Sequence, residues 1–240
     1  MTLGVLGGTF DPIHNGHIAA GLRAQEALGL DRVLVVPSHV PPHRAAGAAA
    51  ADRLAMAGLA AADLAGWTAS DIELKREGPS YTFDTLTALG GEAAMSERRG
   101  AARSGDATRV EWQKFFIIGA DAFAEIATWS RYPAVLELAH FAVVARPGST
   151  LDSLQKRLPD LADRMTTPDL FKPQASHFRP GFGGQASLKP AVILIQAKTP
   201  DVSSTDIRRR VRGGESIREL VPESVASYIA THRLYVEAGL

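Results

Sequence analysis

The sequence predicts an α/β chain built on a doubly wound, mostly parallel sheet with helices on both faces. Three observations carry this. Short apolar runs at 3–6, 32–36, 68–72, 115–118, 141–145 and 192–196 have the length and near-continuous hydrophobicity of strands buried on both sides. Segments with helical spacing alternate with them, at 16–28, 50–65, 82–89, 122–128, 134–137, 150–157, 205–212 and 223–231, as crossovers between parallel strands require. The length of 240 residues, without internal repeat, suits a single domain with a sizeable core.

The first run passes straight into Gly7-Gly8-Thr9-Phe10-Asp11-Pro12-Ile13-His14-Asn15-Gly16-His17. Gly7 and Gly8 carry no side chain to hold a ligand off the backbone. Asp11-Pro12 makes a turn, and a helix opens near Asn15-Gly16 and runs through Ile18, Leu22 and Leu28. Strand, glycine loop and helix N-terminus together offer free N–H groups and a dipole that favour an anion. His14 and His17, three apart, fall on one side of the opening turn. A tight turn with two surface histidines explains the glycines, but not two imidazoles at an anion pocket. Zinc ligation lacks a Glu between the histidines, a Cys anywhere and a third ligand nearby, so no metal site is expected. Two imidazoles donating to phosphoryl oxygens account for the whole stretch.

After the second strand comes Pro37-Ser38-His39-Val40-Pro41-Pro42-His43-Arg44, stiffened by prolines and placed beyond a strand's carboxyl end, where open parallel sheets bind ligands. His43 and Arg44 offer donors to a phosphate, and a stiff surface loop with incidental cations is the alternative. Tyr81-Thr82-Phe83-Asp84-Thr85 follows the third strand, with Thr82 placed to cap a helix. The fourth strand ends in Gly119 and Asp121. Asp121 is either an N-cap or a carboxylate for ribose hydroxyls or metal-bound water. Trp129 and Tyr132 flank a polar turn, either as rim packing or as a stacking surface. In Val202-Ser203-Ser204-Thr205-Asp206-Ile207-Arg208, Ser203 or Ser204 is a natural N-cap. Ser204, Thr205 and Arg208, about one turn further on, can surround one phosphate. Arg209, Arg210 and Arg212 read as a solvated face. His39, His140, His177 and His232 read as structural or surface residues. Two segments, 90–110 and 165–190, break the pattern and read as loops or insertions over a finished core; Arg98, Arg99, Arg103 and Arg109 make the first locally basic.

Composition narrows the function classes. Lys and Arg number 26 and Asp and Glu 26, so no global charge argues for nucleic acid or an anionic membrane. No cysteine means no disulfide framework and no thiolate chemistry, which fits a reducing cytoplasm. The Met-Thr-Leu start lacks the pattern of a signal peptide, and no apolar run reaches membrane-spanning length.

The stretch from Gly7 to His17 resembles the GxFDPxHxGH signature of the nucleotidyltransferases that share the HxGH motif. With His at the first motif position it looks most like the nicotinate-nucleotide adenylyltransferases. The sister enzymes that act on phosphopantetheine carry Thr there. Pro41-Pro42-His43-Arg44, Tyr81 to Leu86, Ile118-Gly119-Ala120-Asp121 with Trp129, and Ser203 to Arg210 resemble further motifs of that family. The resemblance covers most of the chain in order, outside the two interrupting segments. It implies a Rossmann-like nucleotidyltransferase fold and adenylyl transfer from ATP to nicotinate mononucleotide, giving deamido-NAD and pyrophosphate. It places Gly7, Gly8, Thr9, Phe10, His14, His17, Gly119, Asp121, Ser204, Thr205 and Arg208 at ATP, with His14, His17 and Arg208 catalytic. It places His43, Arg44, Tyr81, Thr82, Trp129 and Tyr132 at the pyridine nucleotide. Magnesium arrives with ATP, held mainly by phosphates and water. Two alternatives stay open: an adenylyl- or cytidylyltransferase for another phosphorylated acceptor, and a nucleotide-binding sensor that no longer turns over.

Overall fold

The computed structural model describes residues 1–41, 45–96, 112–145, 148–171 and 190–236, and their side chains except at 91–96. Among the described residues seven strands form: β1 (Thr2–Gly8), β2 (Arg32–Pro37), β3 (Trp67–Ala69), β4 (Gln113–Gly119), β5 (His140–Ala145), β6 (Met165–Thr166) and β7 (Val192–Gln196). The α-helices are α1 (Asn15–Leu28), α2 (Ala50–Ala62), α3 (Thr82–Ser96), α4 (Ala120–Phe123), α5 (Leu151–Arg157), α6 (Ser204–Arg212) and α7 (Glu223–Thr231). The strands pair in the order β3-β2-β1-β4-β5-β7-β6, every pair parallel.

Side chains that alternate along the strands build two cores, one on each face. Leu6, Ile117, Val144 and Ile195 join Met56 of α2, Ile207 of α6 and Ile229 of α7 on one side. Val5, Phe116, Phe141 and Leu194 join Leu86 of α3, Phe123 of α4 and Leu154 of α5 on the other. The period of two thus divides nearly continuous apolar runs between two layers of helices. Each such side chain fully withdrawn from water contributes about 1.5–3 kcal/mol.

From β1 the chain builds outward through β2 and β3, then crosses to the other side for β4. The carboxyl ends of β1 and β4 therefore part at a topological switch point, the place in an open sheet where a crevice forms. The glycine loop and Gly119 both leave the sheet there.

The structure corrects several boundaries. The third strand stops at Ala69 rather than 72, because a turn begins at Ile72, where the Lys75 N–H bonds back to the Asp71 carbonyl and Ile72 is buried in the core. α2 ends at Ala62, where the Leu64 N–H bonds back to Ala61 and Gly66 adopts φ 77. The helix expected to end at 89 continues to Ser96, into the segment read as an insertion, since Ala93, Ala94 and Met95 favour helix. The stretch 122–128 divides into α4 and a 3-10 turn at Ile126–Thr128, and Ala134–Glu137 is likewise 3-10. A further 3-10 helix, Pro159–Arg164, leads into β6, an edge strand at the start of the second presumed loop, which pairs Met165 with Val192. The remainder of both segments, 97–111 and 172–189, lies outside the described residues. Among the described residues no helix is long and apolar enough to cross a membrane.

Candidate active site

His14 is the N-cap of α1, in extended backbone, and forms a reciprocal cap with His17. The His17 N–H donates to His14 Nδ1 at 3.4 Å, and the His14 N–H donates to His17 Nδ1 at 3.3 Å. The rings stack with centroids 3.6 Å apart and 19° between planes. Because each Nδ1 accepts, the hydrogen of each neutral ring sits on Nε2. The cap therefore fixes the tautomer and leaves each imidazole with an Nε2–H donor. Burial pulls His14 down to about 4, and burial together with the neighbouring His14 charge pulls His17 down to about 3. Gly16 suits this packing: a Cβ there would stand 3.1 Å from the His14 ring and 3.3 Å from the Pro200 carbonyl, a crowding that the ring or the loop would have to relieve. Phe10 sits at φ 50 with its ring in the core, edge-on to His17, so only its backbone is available to a ligand.

The helix from the other end of the chain meets the same loop. Ser203 is the N-cap of α6 and accepts from the Asp206 N–H at 3.1 Å. Ser204 is thus the first helical residue, and its hydroxyl donates to the Pro12 carbonyl at 3.0 Å. Arg208 donates to the Asp11 carbonyl at 2.6 Å and to Thr205 Oγ1 at 3.4 Å. Arg209 and Arg210 point elsewhere, into exposed ion pairs with Asp206 and Glu215. The structure therefore brings His14, His17, Ser204, Thr205 and Arg208 together around residues 11–17, and separates Arg208 from its two basic neighbours.

The opposite wall begins at the end of β4. Gly119 is the N-cap of α4, so Asp121 lies in the first turn, exposed, and does not take the capping role. Trp129 is half-buried and edge-on to Phe116, with centroids 6.0 Å apart; Tyr132 is half-buried against the same core. Arg131 between them adopts φ 62 and lays its guanidinium 5.1 Å from the Phe83 ring of α3, which joins this wall to the Tyr81-Thr82 turn. Thr82 is the first residue of α3 rather than its cap, and the Tyr81 carbonyl accepts from the Asp84 and Thr85 N–H groups. His39 is structural, as expected: its ring bonds the Arg76 carbonyl and its N–H donates to Ser80. His140 packs on Phe115, and His232 stacks on Tyr228. His43, Arg44 and His177 lie outside the described residues.

Three neighbours of the site are given no role of their own in the sequence reading. Arg53 is almost wholly buried and donates to the carbonyls of Thr9, Ser38, His39 and Ala48, which pins the loops after β1 and β2 to α2. Its sequence signal is an Arg on the otherwise apolar stripe Arg53-Met56-Ala57-Ala60. Thr85 joins the buried Glu73 and accepts from Arg76 at 2.9 Å, beneath the Tyr81 turn. Tyr235 reaches the buried Asp11 carboxylate from beyond α7, with no local signal at all. Among the described residues, no three His, Asp or Glu side chains gather as metal ligands. The arrangement suits a polyanion held by neutral imidazoles, a helix N-terminus and one guanidinium, beside a half-aromatic second wall.

The chain is similar to known proteins over nearly its whole length. The cytidylyltransferase-like family model matches residues 5–210. A protein of Desulfatibacillum aliphaticivorans named probable nicotinate-nucleotide adenylyltransferase is 40% identical over 98% of this chain and 100% of its own length. A relative with the same name from Geobacter sp. (strain M21) is 39% identical over 99% and 100%, and one from Pseudomonas syringae pv. tomato 38% over 97% and 93%. The fold is shared with the nicotinic acid mononucleotide adenylyltransferase of Plasmodium falciparum solved with NaAD, at TM-score 0.63 and 15% identity, covering 98% of this chain and 97% of that one.

Proposed function

The chain belongs to the cytidylyltransferase-like family and, within it, to the nicotinate-nucleotide adenylyltransferases; from that premise we propose that it joins ATP to nicotinate mononucleotide, releasing pyrophosphate and giving deamido-NAD. The observation that carries the reading is the capped histidine pair, two preset Nε2–H donors at a helix N-terminus, on the same loop that Arg208 of α6 holds through the Asp11 carbonyl.

The acceptor's phosphate is already ionised at neutral pH, so no protein base is needed. The chemistry asks for two polyanions held in line while charge builds on the α-phosphate and on the leaving pyrophosphate. Gly7, Gly8, Thr9 and Phe10 let the backbone approach the nucleotide. His14 and His17 donate to ATP phosphates and to the transition state, where preorganised donors count most. Ser204, Thr205, the N-terminus of α6 and Arg208 receive the outgoing phosphates. Gly119 and Asp121 serve the nucleotide side, with Asp121 accepting from ribose or from water on the magnesium that ATP brings. Tyr81, Thr82, Trp129 and Tyr132, with His43 and Arg44, hold the pyridine nucleotide. An electron-poor pyridinium suits the face of an aromatic ring. The even charge balance supports small-molecule partners without nucleic acid or membrane, and the cysteine-free composition supports a cytoplasmic setting. A pyrophosphate-release assay with magnesium, ATP and a panel of phosphorylated acceptors tests the proposal. Release only with nicotinate mononucleotide supports it. Release only with another acceptor favours the broader transferase reading, and none with any acceptor favours a sensor.

A further inference from the structure

Asp11 is 4% exposed, and donors surround its carboxylate. Oδ2 accepts from the Gly47 N–H at 2.7 Å and lies 3.4 Å from the Arg208 guanidinium; Oδ1 accepts from the Ala48 N–H at 3.0 Å and from the Tyr235 hydroxyl at 2.9 Å. Tyr235 belongs to the segment beyond α7 and adopts φ 65 to reach this point. Burial and the adjacent carboxylate push its hydroxyl well above the ordinary tyrosine range, which keeps it a donor. Gly47 lies at the junction: a Cβ there would stand 3.3 Å from Arg208 Cδ and from Asp11 Oδ2, and 3.4 Å from Tyr235 Cε1.

A carboxylate beside a polyphosphate site opposes the ligand's charge, so attraction does not explain it. Its geometry does. Four contacts from three segments fix the plane of the carboxylate, and the carboxylate with the Asp11 carbonyl fixes Arg208. A guanidinium already held in place loses less rotamer freedom on meeting phosphate. We propose that Tyr235 is a positioning residue for Arg208, acting through the Asp11 carboxylate, so that the C-terminal segment is part of the triphosphate site. The proposal rests on the assignment of Arg208 to ATP.

Tyr235→Phe keeps the ring and removes the one donor. It raises KM for ATP and the inhibition constant of pyrophosphate about tenfold, the scale of a hydrogen bond to a charged group, and leaves KM for nicotinate mononucleotide unchanged. In an Arg208→Ala background it adds nothing further to either constant. Gly47→Ala, which crowds the same point, reproduces the ATP-selective effect. A merely structural hydroxyl would change all three constants alike, or multiply with Arg208→Ala, and either result overturns the proposal. A Tyr235→Phe chain that fails to fold also overturns it. Parent enzyme that releases no pyrophosphate from ATP and nicotinate mononucleotide overturns the reading beneath; an active parent with a silent Tyr235→Phe overturns this inference alone.

Discussion

Each histidine of the pair caps α1 and, in the proposed function, also donates to phosphate; substitution can separate the two. Asn is among the best N-caps, so His14→Asn preserves the opening of α1 while removing the Nε2–H donor. The expected outcome is a melting temperature near the parent's with turnover at least about a hundredfold lower, since one preorganised donor to developing charge is worth about 3 kcal/mol. His17→Ala lowers kcat/KM by a similar factor. Parent-level kinetics in either variant would remove the pair from the chemistry. Arg53 is a stability residue by contrast. Arg53→Leu strands one buried and three partly buried carbonyls, at up to about 1–3 kcal/mol each when unpaired, and should unfold the protein or lower its urea midpoint sharply. The pairing of His14 with His17 was legible because a helical turn sets a spacing of three. The mutual cap was not, because histidine is not an ordinary N-cap. Tyr235 was invisible because it lies 224 residues from Asp11, and nothing local marks so distant a contact.

At the scale of elements, α6 shows how a helix sorts three consecutive arginines. Its period of 3.6 turns Arg208 toward the loop and Arg209 and Arg210 toward Asp206 and Glu215. Exposed pairs of that kind contribute about 0–1 kcal/mol. Arg208→Ala should therefore raise KM for ATP by about tenfold or more, with Arg209→Ala and Arg210→Ala close to the parent. Steady-state kinetics at varied ATP checks this, and equal effects in all three would reduce the run to a basic surface. The strands of the sheet's centre were legible in place, because burial on both faces writes an unbroken apolar run, but β1 and β4 extend one or two residues further at each end, into Gly7-Gly8 and back to Gln113-Lys114, where that run stops. What was misread lies where local signals conflict or vanish. Gly90-Gly91 suggested an end to α3 that the following alanines override. Met165–Thr166 is too short to show alternation, and is a strand only because Val192–Gln196 lies beside it.

The whole molecule carries a pH dependence that its neutral charge balance conceals. His14, His17 and His140 are held by burial at about 4, 3 and 4, below the value of about 6.5 for an unfolded chain. Above about pH 6.5 they are neutral in both states and the stability they allow is fully present. As pH falls, the unfolded chain takes up protons that the fold refuses, and stability declines down to those folded values. The urea midpoint should be lower at pH 5 than at pH 7.5, with a smaller loss in His17→Asn; a midpoint that rises on acidification contradicts the buried, neutral pair. The proposed function also makes a claim about acceptor choice. In that reading the opening turn of α3, at Tyr81-Thr82, would offer N–H groups and a dipole end to the pyridine substituent. A carboxylate satisfies such donors, whereas a carboxamide brings N–H groups of its own and leaves buried donors unpaired at about 1–3 kcal/mol each. The most direct measurement is kcat/KM for nicotinate and nicotinamide mononucleotides under the same magnesium and ATP. At least about tenfold preference for the acid is expected, and equal use of the two, a preference for the amide, or no turnover of either would contradict the account.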